Sequence, residues 1–121
     1  MDDFAAVFAR LRAQFAEHAA AAVVTCDEPG RYFLGTHEVR SRDGYRTALG
    51  GVEIGKRYVS AHLMPVYVYP ALLEDIGDGL RGRMQGKSCF NFTTPDEALL
   101  AGFRELLSRG VERFRQDGRL P

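Results

Sequence analysis

The sequence lacks any surplus of charge of one sign. Its 16 Lys and Arg residues equal its 16 Asp and Glu residues, so the formal net charge at pH 7 is zero. With equal numbers of positive and negative charges, the electrostatic potential of the whole protein gives no reason to expect attraction to nucleic acid or to an anionic membrane surface. We therefore predict a protein with no nucleic-acid and no membrane partner.

Long apolar runs are missing as well. No stretch reaches the roughly 18 apolar residues of a membrane span, and Asp2 and Asp3 stand where a secretory signal carries positive charge. We therefore expect a cytoplasmic protein. A chain of 121 residues suffices for one hydrophobic core and is too short for two, so we expect one domain over residues 1–121.

Cysteine is scarce. Cys26 and Cys89 are the only two, and they have neither the spacing of a zinc site nor the density of a disulfide scaffold. We expect both to be reduced thiols. HxxxH, HExxH and CxxC spacings are also absent, so the residues predict no metal site and no cofactor.

Helical periodicity marks both ends of the chain. Apolar residues recur at spacings of three and four from Phe4 to Phe15, which predicts an amphipathic helix over residues 3–18. A shorter helix is predicted over residues 70–80, where Gly77 and its neighbouring glycines weaken it.

The last helix has a strong start signal. Thr94 is predicted as the N-cap, with Pro95 at the first helical position and Glu97 completing a capping box. The apolar stripe over residues 99–114 then continues the helix, which is predicted to end near residues 117–118.

Five segments have the composition and alternation of strands: residues 23–26, 31–37, 45–54, 57–64 and 87–93. Residues 66–69 are expected to extend the fourth strand at an edge, and Gly50-Gly51 predicts a bulge or a close backbone approach. Short connections favour an α+β fold, with a single antiparallel sheet of about five strands and the N- and C-terminal helices on one face. The opposite face is then open to solvent or covered by a second copy in a homodimer.

Alternation in the fourth and fifth strands defines the candidate site. If these strands are neighbours, six polar or nucleophilic side chains share the open face, which is a ligand-binding hypothesis. They are Tyr58, Ser60, His62, Lys87, Cys89 and Asn91. Cross-strand hydrogen bonding at a dimer interface is the alternative interpretation.

Cys89 and His62 together can form a thiolate nucleophile, because an imidazole next to a thiol takes its proton. The sequence shows neither their contact nor an oxyanion hole. We therefore expect a non-catalytic module that binds a small ligand or protein partner, with a Cys/His-dependent enzyme as an alternative.

Four strings resemble the hallmark segments of the YdhG-like family, catalogued as domain of unknown function 1801: residues 58–67, 70–73, 83–85 and 86–92. The similarity extends over residues 52–115, and residues 27–32 also resemble members of this family. The resemblance implies a small α+β domain with a distantly frataxin-like layout. Most members have no assigned activity.

One branch of that family is linked to iron handling in a frataxin-like role, which would imply an iron-delivering partner or iron as a cofactor. Frataxin-like iron binding is associated with an acidic ridge on the first helix and the first strand. Here the acidic residues Asp2, Asp3 and Glu17 are offset by Arg10 and Arg12. An iron chaperone is therefore a further alternative, implied by the resemblance alone.

Overall fold

A six-stranded antiparallel sheet forms one layer of the protein. The computed structural model describes residues 3–120, so Asp2 lies outside the described residues. The strands run in the order β1-β2-β3-β4-β6-β5 across the sheet. Their bounds are β1 Val23–Glu28, β2 Arg31–Val39, β3 Arg46–Ile54, β4 Val59–Leu63, β5 Met84–Gln85 and β6 Cys89–Phe92.

The helices form the second layer, and the two longest of them come from the two ends of the chain. The helices are α1 Phe4–Ala16, α2 Met64–Val68, α3 Asp78–Arg81 and α4 Glu97–Gln116. Helix α1 packs on β2, β3 and β4 and also contacts α4, so both terminal helices cover the same face of the sheet. The predicted α+β layout is confirmed. Within residues 3–120, no helix is long and apolar enough to span a membrane.

Phe103 of α4 joins the two layers. Its ring centroid lies 5.8 Å from that of Phe15 on α1, and 5.4 Å and 5.9 Å from those of Phe90 and Phe92 on β6. All four side chains are fully buried. Because this cluster holds one face of the sheet against the helices, the alternate residues of β4 and β6 must face away from the core.

Several predicted elements were wrong. Strand β5 was missed because it has two residues, too few for a visible alternation. The expected edge extension at residues 66–69 is wrong because Met64–Val68 form α2, which turns inward and buries Val66. The helix predicted over residues 70–80 is a 3₁₀ turn, Pro70–Leu73, followed by α3, with Gly77 extended between them.

The start of α4 also differs from the prediction. Asp96 is the N-cap, and its Oδ1 accepts a hydrogen bond of 3.1 Å from the backbone N–H of Leu99. Glu97 does not complete a capping box with Thr94, because both of its carboxylate oxygens accept hydrogen bonds of 2.7 Å from Arg10 on α1. The contact between Arg10 on α1 and Glu97 on α4 therefore replaces the capping box that the sequence predicts.

This capping arrangement predicts unequal effects of two neighbouring substitutions. Asp96→Ala leaves the Leu99 N–H without its acceptor and is expected to lower the free energy of unfolding by about 1 kcal/mol. Thr94→Ala removes an exposed side chain and is expected to change it by less than about 0.5 kcal/mol. Urea unfolding of both variants measures the difference, and an equal loss in Thr94→Ala would contradict the assignment of Asp96 as the cap.

Candidate functional site

Strand pairing brings outward-facing side chains into two rows on the face opposite the helices, here called the open face. Directly paired residues of antiparallel strands project to the same side. One row crosses all six strands through Cys26, Phe33, Gly51, His62, Cys89 and Gln85. The adjacent row contains Arg31, Glu53, Ser60 and Asn91.

Three of these residues form a chain of polar contacts, here called the thiol triad: Cys89, His62 and Glu53. The Sγ atom of Cys89 lies 3.0 Å from Nδ1 of His62. On the other side of the ring, Nε2 of His62 lies 3.4 Å from Oε1 of Glu53. The side chains of His62 and Glu53 are 34% and 39% exposed, and Cys89 is partly buried.

The two ring nitrogens of His62 have different partners. The Glu53 carboxylate faces Nε2, which favours the neutral tautomer that has its proton on that nitrogen. Nδ1 is then an acceptor directed at the Cys89 thiol. In this arrangement, transfer of the thiol proton to Nδ1 would leave a thiolate next to an imidazolium whose Nε2 faces the Glu53 carboxylate.

Arg31 holds the third member of the triad. Its Nε donates a 3.2 Å hydrogen bond to Oε2 of Glu53, and this bond raises the pKa of Arg31. Its Nη1 also lies 3.8 Å from Sγ of Cys26, and the nearby thiol acts on the pKa in the same direction. The guanidinium therefore fixes the Glu53 oxygen that does not face His62.

A missing side chain at Gly51 makes room for the Phe33 ring. A Cβ atom at Gly51 would lie 2.4 Å from Cδ1 of Phe33 and 2.4 Å from the Tyr32 carbonyl oxygen. The Phe33 ring therefore lies over Gly51, with its centroid 5.8 Å from that of His62. The predicted close backbone approach is confirmed, whereas the register shift in β3 falls at Leu49. Phe33 forms an apolar wall beside the triad.

A second polar network joins residues of β4, β6 and β5 on the open face. Ser60 Oγ donates to Oδ1 of Asn91 at 2.8 Å, and Asn91 Nδ2 donates to Oε1 of Gln85 at 2.7 Å. Arg83 Nε donates to the Asn91 carbonyl oxygen at 2.6 Å. Together with Tyr58, which precedes β4, the residues Arg83, Gln85 and Asn91 line a groove of about 290 Å³.

The six residues predicted for the site have three different surroundings. His62 and Cys89 belong to the thiol triad, whereas Ser60, Asn91 and Tyr58 belong to the amide network and its groove. Lys87 does not join them. It lies in the turn before β6, with Nζ 5.8 Å from the ring centroid of Tyr67.

Sequence reasoning missed Glu53, Arg31, Phe33 and Gln85. Glu53 had a visible signal, because it is a lone carboxylate in a strand that is otherwise apolar from Leu49 to Ile54. Arg31 and Phe33 had none, since their proximity to His62 depends on the pairing of β2 with β3 and of β3 with β4.

Two acidic residues near the first helix and in the first strand have arginine partners. Glu17 is paired with Arg104 at 3.0 Å, and Asp27 is paired with Arg12 at 3.0 Å. The possible metal ligands of the thiol triad do not converge on one point, because Cys89 and Glu53 lie at opposite nitrogens of the His62 ring. Between residues 3 and 120, no group of three or more His, Cys, Asp or Glu side chains is placed to hold a metal ion.

No protein-family profile, curated protein or solved structure matches the chain. The resemblance to the YdhG-like family therefore stays a prediction from the sequence.

Proposed function

We propose that Cys89 is a nucleophilic thiol that reacts with small molecules carrying an activated acyl group on the open face. The observation that supports this most is the 3.0 Å contact between Cys89 Sγ and His62 Nδ1, with Glu53 on the other nitrogen. A nucleophile, a base and a third group that orients the base are the parts of an acyl-transfer site.

The proposed reaction begins with transfer of the Cys89 proton to Nδ1 of His62. The thiolate attacks the acyl carbon, a sulfur–carbon bond forms, and the bond to the leaving group breaks with its electron pair. The imidazolium returns the proton to the leaving group. Water or another nucleophile then cleaves the thioester and restores the thiol.

A second candidate is the non-catalytic binding predicted from the sequence. It is favoured by the groove that Tyr58, Arg83, Gln85 and Asn91 line next to the triad, where amide and guanidinium groups are available to a polar ligand or a protein partner. In this alternative Cys89 contributes packing and no chemistry. A homodimer through the open face would cover the groove and the triad together.

Labelling with p-nitrophenyl acetate distinguishes these functions. We expect release of p-nitrophenol and an acetyl group on Cys89, detected by mass spectrometry of peptides after quenching in acid. His62→Gln is expected to slow acetylation about tenfold or more, because the thiol loses its proton acceptor. Glu53→Gln is expected to have a smaller effect, since it removes the carboxylate charge beside Nε2 and leaves Nδ1 next to the thiol.

Cys26→Ala is the matched control, because it removes the other thiol and leaves the triad intact. Its acetylation rate at Cys89 is expected to equal that of the unmodified sequence. Equal labelling of both cysteines, or an unchanged rate in His62→Gln, would contradict the nucleophilic function and favour passive binding.

A further inference from the structure

An apolar groove lies outside the thiol triad, where α2 and the following 3₁₀ turn approach the turn before β6. It is lined mainly by Val66, Tyr67, Pro70, Leu73, Met84 and Lys87. Its volume of about 580 Å³ falls in the range of small-molecule sites in proteins. The proposed reaction does not use this groove, and of the six residues predicted for the site only Lys87 lines it.

The charge in the apolar groove is unbalanced. Lys87 is its only charged lining residue, and no Asp or Glu lines it. Within residues 3–120, no carboxylate lies within ion-pair distance of the Lys87 amine. Instead, the amine lies beside the exposed ring of Tyr67. An anionic group placed at this end of the groove would gain an ion pair without displacing an existing one.

The walls of the apolar groove favour an apolar ligand body. The Tyr67 side chain is 54% exposed although it is largely hydrocarbon, while Leu73 and Met84 are half-buried against the core. Covering these surfaces removes apolar area from water, which stabilises a complex in proportion to that area. Gly86 also lines the groove, and the space around it is open, since a Cβ built there would meet nothing within 4 Å.

We propose that the apolar groove binds a small amphipathic carboxylate. The ligand's hydrocarbon body contacts Tyr67 and Leu73, and its carboxylate pairs with the Lys87 amine. Charge complementarity selects this class over neutral and cationic amphiphiles of the same length. The inference is independent of the nucleophilic function proposed for Cys89.

Two eight-carbon probes of opposite charge test this inference: octanoate and octylammonium, each titrated into ¹⁵N-labelled protein at pH 7. We expect octanoate to shift the amide signals of Tyr67, Leu73 and Lys87 and to bind more tightly than octylammonium. Lys87→Glu is expected to weaken octanoate binding about fivefold or more and to make octylammonium the tighter probe.

The chain offers a matched control, because Lys56 is its only other lysine and is also exposed. Lys56→Glu changes the net charge by the same amount and is expected to leave the preference for octanoate intact. Three outcomes would overturn the inference: no amide shifts around the groove, equal affinity for the two probes, or the same loss in Lys56→Glu as in Lys87→Glu. Tyr67→Ala, which removes an exposed side chain, separates loss of the apolar wall from loss of charge.

Discussion

Phe103→Ala is expected to lower the free energy of unfolding by about 3–5 kcal/mol. The ring is fully buried and makes tilted or edge-on contacts with Phe15, Phe90 and Phe92 at centroid distances of 5.4–5.9 Å. Those partners belong to α1 and β6, so the cavity opens between the two layers. Since small domains are stable by about 5–15 kcal/mol in total, this substitution removes a large fraction of the stability.

Urea unfolding followed by far-UV circular dichroism measures this loss. A lower midpoint with an unchanged slope against urea identifies a change in stability without a change in the denatured state. Phe8→Ala is the control. It makes the same chemical change at a residue that is only partly buried, at the edge of the core. It is expected to cost about 1 kcal/mol. A loss below about 1.5 kcal/mol in Phe103→Ala would contradict the central position of the ring.

The layers could be predicted because each depends on a period in the sequence. Val59, Ala61 and Leu63 alternate with polar residues, and all three are fully buried. This alternation places Ser60 and His62 on the open face whatever the order of the strands, because successive side chains of a strand point to opposite sides. The stripes on α1 and α4 determine the helix-covered face in the same way.

The partners within the site could not be predicted, because they depend on register between distant strands. Cys89 meets His62 only because β6 lies next to β4 with these two residues directly paired. Glu53 reaches the same ring from β3, one row away. Alternation assigns a face to each residue, but it does not determine which residue of another strand lies beside it.

Local signals were wrong where a distant residue supplied a competing partner. Thr94 and Glu97 match a capping box, yet Glu97 binds Arg10, which is 87 positions away along the chain. Lys87 follows the alternation of the last strand, yet the strand begins only at Cys89. Its side chain therefore lies beside Tyr67 and not on the open face.

Gly50→Ala is expected to lower the free energy of unfolding by about 3 kcal/mol. A Cβ at this position would lie 2.3 Å from the backbone carbonyl oxygen of His62 and 3.2 Å from the ring of Phe15. The carbonyl belongs to β4, which is paired on both sides, so it cannot move without disturbing β3 or β6. Gly77→Ala is the control, because a Cβ there meets nothing within 4 Å, and it is expected to change stability by less than about 1 kcal/mol.

The same substitution tests whether the backbone under the thiol triad determines its reactivity. Moving the His62 carbonyl shifts the residue whose ring lies 3.0 Å from the Cys89 sulfur. We therefore expect the folded Gly50→Ala protein to be acetylated at Cys89 more slowly, at a temperature well below its melting transition. If its acetylation rate equals that of Gly77→Ala while its stability falls, the position of β4 contributes to folding and not to the reactivity of the thiol. A fall in both quantities would show that one close contact between β3 and β4 sets the stability of the sheet and the geometry of its candidate nucleophile.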